Sequence, residues 1–101
     1  MMILLDMSLL ADMLENYGED EQLRQTTGEC GELIAAIQNY HRSLMYGHRS
    51  ESLADVMEEA ADVFFMVQQI RAIDPEMFDN ACRKKELIVY KKLDREPPEN
   101  K

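Results

Sequence analysis

Cysteine, proline and glycine are scarce in this chain, at 2, 3 and 4 copies. Two cysteines, Cys30 and Cys82, make neither a CxxC motif nor a disulfide framework. They are expected as free thiols in a reducing cytoplasm, and zinc ligation gains no support from them. Few glycines and prolines leave few breaks, while Leu, Met, Ala, Glu and Gln are plentiful, a balance that favours helices. Positive charge is also in short supply: 11 basic against 20 acidic residues give a formal charge of -9. That sign opposes non-specific binding to nucleic acid or to an anionic membrane, although a small anion can still bind together with a metal. No long hydrophobic run exists. The apolar stretch from Met1 to Leu10 has no basic residues before it and is interrupted by Asp6. It reads as a core helix, neither signal peptide nor membrane span.

What is present fits one domain. A chain of 101 residues, 46% hydrophobic, has room for a single core that gains from oligomerisation. Leu5, Leu9, Leu10, Met13 and Leu14 recur at helical steps, and Tyr17-Gly18 is a helix-stop signal, which predicts a first helix over about 3–16. Leu23, Leu33, Ile34, Ile37, Tyr40 and Leu44 keep the spacing over 19–44, with a kink or close helix contact expected near Gly28. Ser50 or Ser52 caps a third helix reaching about Ile70. Its run Val63-Phe64-Phe65-Met66-Val67 is apolar on all sides, which makes it the central helix and a subunit contact. Asp74-Pro75 starts a fourth helix reaching about Leu93. The domain spans 1–95, and the charged, Pro97-Pro98-containing tail over 96–101 is expected to be disordered. The fold expected is all-α, a four-to-five-helix bundle completed by oligomerisation.

The chemistry lies in the acids. Glu29 and Glu32 are three apart on one helix face, beside the stripe Leu33, Ala36, Tyr40; Glu59 and Asp62 repeat the spacing beside Val63 and Met66. Two inward acidic pairs on consecutive helices repel unless cations neutralise them or some take up protons. Magnesium suits such a cluster, because it binds few protein carboxylates and accepts phosphate oxygens, and manganese can substitute. The plainer reading, solvated i,i+3 charges, fits Glu51 and Glu58 better than the four.

At these residues the sequence resembles the MazG-like all-α nucleoside-triphosphate pyrophosphatases, a group that includes the dimeric dUTPases and phosphoribosyl-ATP pyrophosphatase. Their ExxE, spacer, ExxD signature appears as Glu29-Cys30-Gly31-Glu32 and Glu59-Ala60-Ala61-Asp62. The likeness covers about 20–72, and it departs at Gly28, where many relatives carry another Glu. The resemblance implies magnesium-dependent hydrolysis of a nucleoside triphosphate between the α and β phosphates, with Glu29, Glu32, Glu59 and Asp62 as metal ligands and catalytic acids. It implies partners of the nucleotide kind, no nucleic acid and no membrane. A homodimer or homotetramer is expected from the all-round apolar third helix. Lys91 and Arg95 resemble the family's Lys-xxx-Arg pair, and serve equally as a cationic C-terminal turn. Gln22 and Gln25 read as substrate contacts or as surface polarity. Asn80 offers an amide to a base edge, His41 and His48 are surface residues, and the eight methionines fill the core. Tyr17, Tyr40 and Tyr46 pack in the core or at its rim, and can also stack on a base. Two other readings use the same residues: a non-catalytic helical interaction module, and phosphoribosyl-ATP hydrolysis.

Overall fold

A computed structural model describes residues 5–47 and 52–98. These residues are helical without any strand, in the order α1 (Met7–Tyr46), α2 (Leu53–Ile73) and α3 (Pro75–Lys92). The expected helix start at residue 3 lies outside the described residues. The start observed at Met7 is set by Asp6, whose carboxylate accepts from the backbone N–H groups of Ser8 and Leu9, two donors that a helix start otherwise leaves orphaned.

Gly18 divides α1 into two arms. Its φ of 83° and ψ of 160° lie in a region that essentially glycine alone occupies. The stop signal at Tyr17-Gly18 therefore does break the helix, and helical structure resumes at once, as the helical spacing from residue 19 onward implies. Gly28, where the kink was expected, stays in regular helix: lowered propensity alone does not bend a helix whose ladder is intact. Gly18→Ala should destabilise the protein by about 1–3 kcal/mol, read as a shifted denaturation midpoint. An unchanged midpoint would mean that the bend carries no strain for a side chain.

The second arm ends at Gly47 in the left-handed conformation, φ 78°, with its N–H donating to Ser43 O. Ser52 then opens α2 with a reciprocal cap: its side chain accepts from Asp55 N while the Asp55 carboxylate accepts from Ser52 N. Asp74 ends α2 and caps α3, accepting from Met77 N ahead of Pro75 at the first position. Arg71 grips Asp79 across this corner with two bonds of 2.9 Å. The chain beyond α3 is irregular as far as Pro98, and 99–101 lie outside the described residues.

Packing is concentrated between α1 and α2; α3 makes a small contact with α2 and none with α1. The radius of gyration is 16.9 Å, against about 13 Å for a compact chain of this size. A closed four-to-five-helix bundle is thus not what one chain forms. Among the described residues the buried apolar ones are few, Leu10 fully and Ala36 and Met66 nearly so. The apolar all-round stretch of α2 is covered unevenly, with Met66 buried and Phe64 44% exposed. Methionine is not chiefly core filling here: Met7, Met45, Met57 and Met77 are exposed. Ile34, Ile37 and Leu44 on α1 and Leu87, Ile88 and Val89 on α3 are exposed too. Among the described residues no helix is long and apolar enough to cross a membrane.

Candidate metal centre

The pairing of α1 with α2 decides where the acids meet. Ala36 and Met66 are buried between the helices, with Leu33, Tyr40 and Val63 half-buried around them. Glu29 and Glu32 lie one turn from that stripe on α1, and Glu59 and Asp62 one turn from it on α2. Carboxylate oxygens of Glu29, Glu59 and Asp62 all come within 4.8 Å of one another. Glu32 stands beside them: its charge acts on both Glu29 and Glu59, and its carboxyl is in hydrogen-bonding range of each.

The electrostatics are those of a crowded anionic site. The Glu29 carboxyl is held above its ordinary range first by desolvation, then by the charges of Glu32 and Asp62. Glu59 is raised for the same leading reason, with Glu32, Asp62 and Glu29 adding repulsion. Among the described residues no cation is an influence on either group. One oxygen of each, Glu29 Oε2 and Glu59 Oε2, is buried without a hydrogen-bond partner. Solvated surface acids do not look like this, since water satisfies their oxygens and no desolvation lifts their proton affinity. Only one acid of each expected inward pair turns in this way: Glu29 and Glu59 are half-buried, whereas Glu32 and Asp62 are exposed, as is Glu58.

The donor set is all oxygen, from carboxylates on two rigid helices, with oxygens left over that accept nothing from the protein. That set fits a hard divalent cation, magnesium or manganese, better than zinc, which draws on the thiol and imidazole groups missing here. Cys30 is half-buried and Cys82 exposed, both free. His41 is exposed, and His48 and Glu51 lie outside the described residues.

The other candidate residues are dispersed. Gln22 is buried next to the acids' helix face, with Nε2 donating to Met13 O, whereas Gln25 is exposed and its amide reaches Glu21 at 3.4 Å. Lys91 sits on the last turn of α3. Arg95 follows that helix and lies 5.7 Å from the centre of the Tyr90 ring, and the two basic residues line one groove with Asp94 and Pro97. Asn80 faces a separate groove near the start of α3, shared with Met77 and Lys84. No Cα of α3 comes within 8 Å of one of α1, so α3 is not packed closely on the helix that carries Glu29 and Glu32. Tyr17 and Tyr46 are exposed and Tyr40 is half-buried.

One residue went unnoticed in the sequence: Gln69, fully buried on α2. The available signal was its spacing, seven residues after Asp62, which mirrors Gln22 seven residues before Glu29. Comparison of the chain with protein-family models, with curated proteins and with solved structures returns no match.

Proposed function

We propose that this protein is a magnesium-dependent nucleoside-triphosphate pyrophosphohydrolase, as its resemblance to the MazG-like enzymes implies. The observation that carries the reading is the meeting of acids from two helices with buried, unpartnered oxygens on Glu29 and Glu59. Glu29, Glu32, Glu59 and Asp62 would hold the cation, which when bound neutralises charge and polarises phosphate oxygens, a role manganese also fills. A carboxylate of the cluster would accept a proton from water as the water oxygen bonds to the α-phosphorus. The bond from that phosphorus to the α–β bridging oxygen then breaks, and pyrophosphate leaves with the bridging oxygen, giving nucleoside monophosphate.

Lys91 and Arg95 are suited to phosphate, but on their own chain they have no contact with α1. A second copy supplies what one chain lacks. The exposed apolar residues of α1, α2 and α3 and the extended shape support a homodimer or homotetramer, in which an α3 from a neighbour can reach the acids. Sedimentation at micromolar concentration should give a dimer or tetramer, and a monomer would remove this support.

The exposed apolar faces also favour the rival reading, a helical interaction module without catalysis. A screen of nucleoside triphosphates with magnesium and manganese separates the two. Pyrophosphate released as the first product, without orthophosphate, is the expected result. Inactivity across the screen would leave the interaction module.

A further inference from the structure

Two glutamines are wholly enclosed in a helix pair that has little apolar core. Gln22 on α1 and Gln69 on α2 are both 0% exposed. Gln22 Nε2 donates to Met13 O at 3.1 Å; Gln69 Nε2 points at the Met66 sulfur, 3.5 Å away. The Oε1 atoms of both residues lack any hydrogen-bond partner. Turning either amide over would set its oxygen against another acceptor, so both residues keep their acceptors free. Buried amide oxygens are satisfied in nearly all folded proteins, so two orphans in one helix pair call for a donor from elsewhere.

Their level in the fold indicates the donor. Asp62 and Glu32 act on Glu29, and Glu32 is the leading charge on Glu59, the register of two antiparallel helices. Gln22 is seven residues before Glu29 and Gln69 seven residues after Asp62. In antiparallel helices both steps run the same way, two turns or about 10.5 Å along the same face. The amides therefore share one level, separated from the acids by the span between a nucleotide's polyphosphate and its base. The first arm of α1 closes that end: Leu10 is fully buried, and Met13 takes the Gln22 amide. The arm joins the rest of α1 at Gly18, where nothing lies within 4 Å of the Cβ position, a place where the chain can turn without displacing a neighbour.

We propose that Gln22 and Gln69 form a base-reading pair that takes a ring edge presenting N–H donors, admitted when residues 7–17 swing about Gly18. Two free acceptors at one level of the helix pair suit a base with two adjacent donors. Guanine offers a ring N–H and an amino group on one edge, whereas thymine offers a single ring N–H. The inference deepens the nucleotide reading above and rests on it for the polyphosphate end alone.

The test is calorimetric titration of the full chain, with magnesium, by deoxyguanosine and deoxythymidine monophosphates. The wild type should bind the guanine nucleotide at least about tenfold more tightly, the equivalent of one hydrogen bond left unmade. Gln22→Met and Gln69→Met, which keep volume and remove the acceptor, should each bring the two nucleotides to within about threefold, with melting temperatures unchanged or raised. Hydrogen exchange over residues 7–17 should change on adding the guanine nucleotide and not the thymine one. Equal binding of the two by the wild type, or discrimination that survives Gln69→Met, overturns the proposal, and the wild-type comparison stands even if a variant fails to fold. Pyrophosphate release from the triphosphates, measured alongside, keeps the failures apart. Release without base discrimination sinks the amide pair alone, and discrimination without release sinks the hydrolytic reading alone.

Discussion

Glu59→Gln should lower magnesium-dependent pyrophosphate release by at least about a hundredfold, because replacing even the outer-shell partners of metal ligands costs about 10–100-fold. Asp62→Asn should do the same. The more telling half of the experiment is stability. In chelator the Glu59→Gln protein should melt at the same temperature as the wild type or higher. Glu59 is disfavoured as an anion by desolvation and then by Glu32, Asp62 and Glu29, so its amide relieves repulsion and breaks no ion pair. A structural carboxylate behaves in the opposite way. Breaking a buried ion pair strands a charge and costs about 3–5 kcal/mol, and the cations around Glu59 that such a role needs are missing from its influences. With magnesium the wild type should gain stability by mass action and the variant less. A marked fall in the variant's melting temperature in chelator would show Glu59 to be a structural partner, and the metal centre would fall with it.

That the acids meet was legible in the sequence because i,i+3 spacing fixes a helix face and the neighbouring apolar residues say which way the face points. Ala36 and Met66 are indeed enclosed, and Glu29 and Glu59 turn toward each other beside them. The caps were legible for a related reason: Ser52, one of the two serines expected to cap α2, and Asp74-Pro75 act through local backbone geometry that a few residues determine. Gly18 was read correctly as a stop, and the helical spacing from residue 19 onward correctly placed the next arm directly after it. Neither the kink nor the close helix contact expected near Gly28 appears: the helix stays regular and nothing lies within 4 Å of its Cβ position, although Thr26 and Thr27 turn their hydroxyls onto the carbonyls of Gln22 and Leu23 four residues back.

Periodicity marks an apolar face without naming what covers it, and most of the misjudged features follow from that. The face of α3 carrying Leu87 and Ile88 reads as a fourth bundle helix, yet within one chain it does not reach α1. The methionines are apolar enough to suggest a core, but a chain with radius of gyration 16.9 Å leaves Met45, Met57 and Met77 at its surface. Gln22 had two readings as a polar residue, contact or surface, and neither included full burial. Glutamine is mostly exposed in proteins, so its enclosure is visible only once α2 is laid against α1. The same limit applies to Lys91, Arg95 and Asn80, whose distance from the acids is a property of how α3 leaves α2 and not of any spacing.

The pH dependence of stability should reverse sign when metal is added. In chelator, Glu29 and Glu59 have folded pKa values above their ordinary 4.5, so folding favours their protonated forms. Their contribution is fully present below the unfolded value and is lost as pH rises through the raised folded values. The metal-free protein should therefore become less stable as pH rises above 4.5 toward neutrality. Asp6, Asp55 and Asp79 act in a separate window. Hydrogen bonds from Ser8, from the Ser52 cap and from Arg71 hold them below 3.8, so their contribution is present above that value and is lost only as pH falls through their lowered values. Metal-free stability should consequently peak between the two windows, on the acid side of neutrality. Magnesium requires ionised ligands and competes with protons, so the stabilisation it adds should be negligible below about pH 4.5 and should grow toward neutral pH. Melting temperatures measured from pH 4 to 8, with chelator and with saturating magnesium, should therefore diverge as pH rises. Glu59→Gln should flatten the chelator curve by removing one of the two raised groups. A metal-free protein that grows steadily more stable toward neutral pH would show that the acids are stabilised as anions by the fold itself, which is incompatible with a site built to hold a cation.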